Sequence, residues 1–243
     1  MINENQIVPY DTQELPADEG PWIVFAPHAD DESFGMGGTL AKAAQQNIQT
    51  HLVVMTDGAL GGNQNDLVET RRQEAIRAAE ELGMQSPVFR NHQDRELRHN
   101  DDSIEQVCRI ISDIKPAAVF SPGCFELHPD HRATASIIWS ALKKTVNLEI
   151  IPVSYEVLVQ SPVNLLVDIT SQLEKKMAAM AIYESQLAEN RYIDIALALN
   201  KLRSLTLRGE ISHAEGFYRY ELRDLQQDLQ SIMLKKITPY FEK

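Results

Sequence analysis

The chain has 243 residues, 43% of them hydrophobic, and a formal charge of -12 at pH 7, which is enough to bury one full core, so a single domain over 1–243 is expected, with the polar residues 1–20 as an N-terminal extension. The acidity argues against a nucleic-acid partner, which would need clustered Lys and Arg, and no apolar run approaches the roughly 18 residues of a membrane span. The polar opening has the pattern of neither a secretory signal nor an anchor, and Cys108 and Cys124 are too few for a disulfide framework, so a cytoplasmic protein with free thiols is expected and its homo-oligomeric state is left open.

In chain order, "WIVFA" (22–26) reads as a buried strand and 36–46 as the helix after it. A strand at 50–56 precedes a helix at 66–82, and a strand at 87–90 precedes a helix at 102–114. The strand at 117–122 leads to a helix at 131–144, and two further strands are predicted at 149–159 and 164–170. The helices show apolar spacing of three to four residues, whereas the strands are short runs rich in Val, Ile and Phe. Beyond residue 171, "SQLEKKMAAMAIYESQL" and "YIDIALALNKLRSL" read as two more helices, "GFYRYEL" as a late strand, and "DLQQDLQSIMLKK" as an amphipathic surface helix. This βαβα order predicts an α/β fold with a mostly parallel central sheet and helices on both faces, whose ligands lie beyond the carboxyl ends of the strands.

Two charged clusters stand at such ends. The first strand runs into "PHADDESFGMGGTLA", with His28, Asp30, Asp31 and Glu32. Adjacent carboxylates repel one another and need a cation, a hydrogen-bond network or water. The fourth strand runs into "CFELHPDHRAT", with His128, Asp130 and His131. Either cluster alone reads most simply as a solvated turn, but two on one rim bring imidazole and carboxylate donors together, and two imidazoles, one carboxylate and an open position make a catalytic zinc site. The glycines of "GMGG" lack the spacing of a phosphate loop and follow repelling acids; close approach of a helix to the sheet explains them better.

These segments resemble the zinc-dependent N-acetylglucosaminyl deacetylases of the LmbE-like, or PIG-L, family: "PHADDE" resembles its first signature and "HPDHRAT" its second. "TDGALGG", "ETRRQEAIRAAEELG", "VDITSQLEKKMAAMAIYESQ" and "AEGF" follow in family order. The resemblance implies a Rossmann-like three-layer sandwich and a hydrolase that removes an N-acyl group, acetyl above all, from an amino sugar or its conjugate. It makes His28, Asp31 and His131 the ligands of Zn2+, with other divalent transition metals as alternatives. Asp30 becomes the base that activates the attacking water, His128 the imidazolium that stabilises the oxyanion, and Asp130 the group that holds His128 charged and oriented. Arg71, in an R-x-x-E element with Glu74, and Asp94 are expected to face the sugar; for Arg71 the alternative is an exposed helix face with local ion pairs, which fits Arg72 and Arg77 better. Ala29 replaces the family's usual Pro, with no side chain that the chemistry uses. The rival readings are a non-catalytic sugar- or metal-binding module on the same scaffold and, on sheet topology alone, a nucleotide-dependent oxidoreductase.

Overall fold

The computed structural model describes residues 11–63, 65–145 and 149–237. Its strands are β1 (Asp11–Thr12), β2 (Trp22–Ala26), β3 (Thr50–Thr56), β4 (Val88–His92), β5 (Ala118–Pro122), β6 (Ile151–Tyr155), β7 (Leu165–Asp168) and β8 (Ala214–Arg219). They form one sheet in the order β1-β7-β8-β6-β5-β2-β3-β4. Only β8 runs antiparallel to its neighbours, β6 and β7; every other pairing is parallel. The helices are α1 (Asp31–Gln45), α2 (Leu67–Leu82), α3 (Asp101–Ile114), α4 (Pro129–Lys144), α5 (Leu173–Ala181), α6 (Glu184–Leu187), α7 (Tyr192–Arg203) and α8 (Leu229–Ile237).

The central strands are buried on both faces, as strands between two helical layers must be. Along β2, Trp22, Val24 and Ala26 enter one core with side chains of α1, α2, α5 and α7. Ile23 and Phe25 enter the other with α3, α4 and α8. This is the three-layer sandwich expected. The chain steps outward from β2 through β3 to β4, then returns to β5 on the other side of β2. That reversal is the topological switch point at which doubly wound sheets open a crevice. Among the described residues, no helix is long and apolar enough to cross a membrane.

Several boundaries differ from the sequence pattern for local reasons. Residues 11–20, expected within a polar extension, pack on the fold: β1 pairs with β7, and Leu15 and Ala17 are buried. Helix α1 begins at Asp31, before the apolar spacing starts, because its first turn buries acids and glycine instead of aliphatics. The helix expected through 171–187 breaks around Ile182 and Tyr183; Tyr183 turns inward and donates from its hydroxyl to Glu32 at 2.6 Å. The C-terminal helix is also less superficial than its pattern suggests, since Ile232 and Met233 are buried in the second core.

Helix α1 is bent at Met36, whose φ of -140° and ψ of 22° are not helical. The bend follows from close packing. A Cβ on Gly35 would lie 2.6 Å from the Glu156 carbonyl oxygen, and one on Gly38 would lie 2.7 Å from Ile169. A straight helix would join the Phe34 carbonyl to the Gly38 amide. Here Lys176 Nζ donates to the Phe34 carbonyl at 2.8 Å and to Glu215 Oε1 at 2.6 Å. Glu215 Oε1 accepts the Gly38 amide at 2.9 Å, and its Oε2 accepts the Thr39 amide at 2.7 Å. A fully buried ion pair from α5 and β8 thus occupies the gap in the α1 ladder.

Removing one partner of such a pair leaves an uncompensated buried charge. Lys176→Met should therefore lower unfolding free energy in urea by roughly 3–5 kcal/mol. The double variant Lys176→Met/Glu215→Gln, which leaves no net charge behind, should lose less than the single one. A single variant as stable as the wild type would refute this account of the bend.

Candidate metal centre and substrate cavity

The residues after β2 and β5 meet at the switch point. Asp30 occupies the N-cap of α1 at φ 133°, a conformation rare outside glycine. This twist turns consecutive acids to different partners. Asp31 Oδ2 accepts the His28 backbone amide at 2.9 Å and lies 3.3 Å from His28 Nδ1 and 3.2 Å from His131 Nε2. Asp30 Oδ2 faces Arg71 Nη2 at 3.3 Å. Glu32 is buried between them and the core, taking hydroxyls from Ser33 and Tyr183, each at 2.6 Å.

The second cluster is set by α4. Pro129 stands in its first turn, where a missing N–H is harmless, and His128 is the N-cap, its Nδ1 accepting the Asp130 amide at 3.3 Å. An Nδ1 that accepts leaves the proton of a neutral ring on Nε2. The imidazoles of His28, His128 and His131 lie within 5.4 Å of one another, centre to centre. Among the described residues, two overlapping sets can offer ligand atoms close enough for one ion: His28, His128 and His131, and His28, Asp94, His128 and Asp130.

Each of His28 and His131 has one nitrogen toward Asp31 and the other toward a further acid. His28 Nε2 lies 3.3 Å from Asp130 and 3.4 Å from Asp94. His131 Nδ1 lies 3.7 Å from Glu126 and makes no hydrogen bond. That is the carboxylate–histidine arrangement in which an outer acid fixes the ring of a metal ligand. The 3.2 and 3.3 Å separations around Asp31 Oδ2 also match the edges of a tetrahedron with bonds of about 2.0–2.1 Å, the zinc–nitrogen and zinc–oxygen range. Imidazole and carboxylate donors gathered in this way suit a divalent transition metal.

Electrostatics separate the two adjacent acids. Burial would raise Asp31, but His131 and His28 outweigh it and hold its pKa well below the usual carboxylate range. Burial pushes Asp30 up to about 7 against the pull of Arg71, with Asp31 adding to the rise. Burial opposes charge on His28, yet Asp130, Asp31 and Asp94 keep its pKa well above normal. His131 is likewise held at about 9, chiefly by Asp31. His128 is lowered by burial and by His28 and His131. Asp130 and Asp94 act on His128 in the opposite sense, favouring its charged form.

Asp130 works differently from expectation. Its Oδ2 is 3.9 Å from His128 Nδ1 and instead accepts the Arg95 amide at 2.7 Å, while Oδ1 accepts the Leu97 amide at 3.3 Å. It is the Asp130 backbone that orients His128, and its carboxylate that ties His28 to the 95–97 loop. Arg71 is buried, ruling out the exposed-helix alternative. It donates to the carbonyls of Gly58 at 3.2 Å and Ala29 at 2.8 Å as well as to Asp30. Asp94 is buried at the cluster, with Oδ2 accepting the Leu60 amide at 3.0 Å. Burial raises the Asp94 pKa, but His28 and the Leu60 amide bring it down to about 2.

His28, Asp30, Asp31, Arg71, Asp94, His128 and His131 open onto a cavity of about 350 Å³, lined also by Leu60, Leu158, Gln186, Glu189 and Tyr192. Sequence reasoning missed Glu126 and Tyr183 near the cluster; the C-terminal segment that carries Gln186, Glu189 and Tyr192 closes the cavity. Glu74 explains the position of that segment: its carboxylate accepts the Ser185 amide at 2.9 Å and hydroxyl at 2.6 Å, clamping α6 to α2. The signal available was an acid three residues after Arg71, one turn along the same helix.

A family model described as GlcNAc-PI de-N-acetylase (PIG-L) matches residues 23–142. The probable N-acetyl-alpha-D-glucosaminyl L-malate deacetylase 2 of Bacillus subtilis (strain 168) is 30% identical over 184 residues, covering 68% of this chain and 82% of the relative. The diacetylchitobiose deacetylase of Thermococcus kodakarensis is 28% identical over 189 residues, covering 69% of this chain and 70% of the relative. In fold, the N,N'-diacetylchitobiose deacetylase from Pyrococcus horikoshii superposes with a TM-score of 0.77 at 23% identity, over 90% of this chain and 91% of that one. With a relative of that identity matched over most of its own length, and a family model that spans both strand-end clusters, the chain belongs to the PIG-L, or LmbE-like, family.

Proposed function

We propose that the protein is a metal-dependent hydrolase that removes an N-acyl group, acetyl in the first place, from an amino sugar or its conjugate. The observation that carries this reading is the division of labour between two neighbours: Asp31 lies between His28 and His131, whereas Asp30 turns to Arg71 and the cavity. One acid is placed to hold a cation and the other to handle a proton. The relatives named above are deacetylases of N-acetylated sugars by their names, and they support the same chemistry.

In this reading His28, Asp31 and His131 hold Zn2+, which when bound polarises the amide carbonyl and makes water nucleophilic near neutral pH. Asp30 takes the proton of the attacking water and returns it to the departing amine as the C–N bond breaks. Arg71 holds the Asp30 carboxylate against the cavity wall. His128 donates from Nε2 to the oxyanion that forms at the carbonyl, a role that needs an N–H and not a net charge. Asp130 keeps His28 in register through its outer nitrogen, and Asp94 faces the sugar. The direct test is a panel of N-acetylated amino sugars and conjugates incubated with metal-loaded protein and scored for free amine. Release from none of them would refute the reading.

Purified protein should carry about one divalent ion per chain by elemental analysis. His131→Ala should lose most of that metal; full occupancy in the variant would overturn the ligand set. Asp30→Asn should retain the ion and the fold but lower turnover on the order of 10²- to 10⁴-fold, the range of general acid–base groups. Asp31→Asn should bind metal more weakly and recover part of its activity in excess zinc, which Asp30→Asn should not. Rescue of Asp30→Asn alone would mean that the two roles are exchanged.

A further inference from the structure

The cavity is rich in negative charge, with Asp30, Asp31, Asp94 and Glu189 in its wall, and two arginines face it. Arg71 is spent on two carbonyls and Asp30. Arg95 is exposed at the cavity's edge, and among the described residues its guanidinium has no hydrogen bond or ion pair. It does not serve to neutralise the acids around it.

The backbone beneath Arg95 is strained and pinned. Its φ is 65°, in the left-handed region that bulky side chains avoid. The Arg95 amide is held by Asp130 Oδ2, the Leu97 amide by Asp130 Oδ1, and the Asp94 amide by Asp57 Oδ1 at 3.1 Å. The Glu96 amide closes the turn on the Gln93 carbonyl at 3.0 Å. Strain held by so many surrounding bonds is the mark of a ligand clamp. The same Asp130 carboxylate contacts His28, so the loop is registered directly against the metal centre. Leu60 and Leu158, both partly exposed, share the wall with Arg95 and offer apolar surface beside its guanidinium.

We propose that Arg95 is an anion-binding residue that selects amino-sugar conjugates bearing a carboxylate or phosphate on the group attached to the sugar; this rests on the deacetylase reading above. With the acyl group at the His–Asp cluster and the sugar beside Asp94, the guanidinium one residue further along meets the substituent beyond the ring. A planar fork of donors suits a carboxylate or phosphate in two-point contact.

The test compares kcat/KM on N-acetylglucosaminyl malate, on N-acetylglucosamine 1-phosphate and on neutral diacetylchitobiose. The variants are Arg95→Asn, which tolerates the left-handed backbone, and Arg95→Lys. In Arg95→Asn, the preference for an anionic over the neutral substrate should fall on the order of 10- to 100-fold, mainly through KM, as expected for loss of a charge-assisted contact. Arg95→Lys should fall in between. Added salt should erode the preference of the wild type more than that of Arg95→Asn. Whichever anionic substrate loses more identifies carboxylate or phosphate as the natural group. A preference unchanged by both variants, or a wild type that favours the neutral sugar, would overturn the proposal while leaving the deacetylase reading standing. Turnover of none of the three by wild type, with the wider panel also silent, would remove both.

Discussion

The Lys176–Glu215 ion pair is the constraint on which the site's geometry rests. It lies wholly inside the protein, where two charges lose several kcal/mol of hydration each, and it persists because every charged atom has a specific partner. Those partners are the backbone groups that the bend at Met36 leaves without helical bonds. With the gap filled, the first turn of α1 can leave the direction of the rest of the helix, pack Gly35 against β6, and aim Asp31 at His131. Without it, three backbone polar groups and two glycines would have no reason to stay in that arrangement. The pair also joins α5 and β8 to α1, so distant parts of the chain fix one turn.

That turn gains its function from sheet topology. Because β2 is flanked by β3 on one side and β5 on the other, the loops after β2 and β5 diverge to opposite faces and leave a crevice between them. His28 and Asp31 come from one lip and His131 from the other. No long loop is required, and the imidazoles are held by short connections at strand ends. The outer carboxylates Asp130, Asp94 and Glu126 then set which ring nitrogen faces Asp31.

The sheet, both helical layers and the two strand-end clusters were legible in the sequence because they rest on local signals. Strands such as 22–26 are continuous apolar runs, α2 and α4 have regular spacing, and His and Asp side by side after a strand stand out in any reading. What escaped the reading depends on contacts between segments far apart in the chain. Nothing local to Lys176 or Glu215 says that they meet 39 residues apart, and nothing in "SQLEKKMAAMAIYESQL" shows that Tyr183 will break the helix to reach Glu32, 151 residues away. Arg71 was ambiguous for the same reason: an arginine on an amphipathic helix reads as solvent-exposed until Gly58 and Gly61 are seen to leave room for its guanidinium. For Asp130, proximity in sequence suggested a side-chain pair with His128, whereas α4 presents the Asp130 backbone to His128 and its carboxylate chiefly to the neighbouring loop.

The cavity wall shows a second division, between the groups placed for chemistry and those placed to choose a substrate. His28, Asp30, Asp31 and His131 are fixed by strand ends and by buried polar networks, and any shift in them disturbs several other bonds. Gln186, Glu189 and Tyr192 arrive on α6, α7 and the turn between them, held by Glu74 at one end and by the buried pairing of Arg203 with Glu156 at the other. The anchors lie outside the cavity lining, so the residues between them can change without loosening either clamp. Arg95 belongs to neither group alone. Its side chain lies at the open edge with the selecting residues, but its amide is held by the acid that contacts His28. On the proposed function, a ligand drawn to Arg95 would be positioned against the His–Asp cluster through one carboxylate, and this short path would make the 93–97 loop the place where substrate choice and catalysis meet.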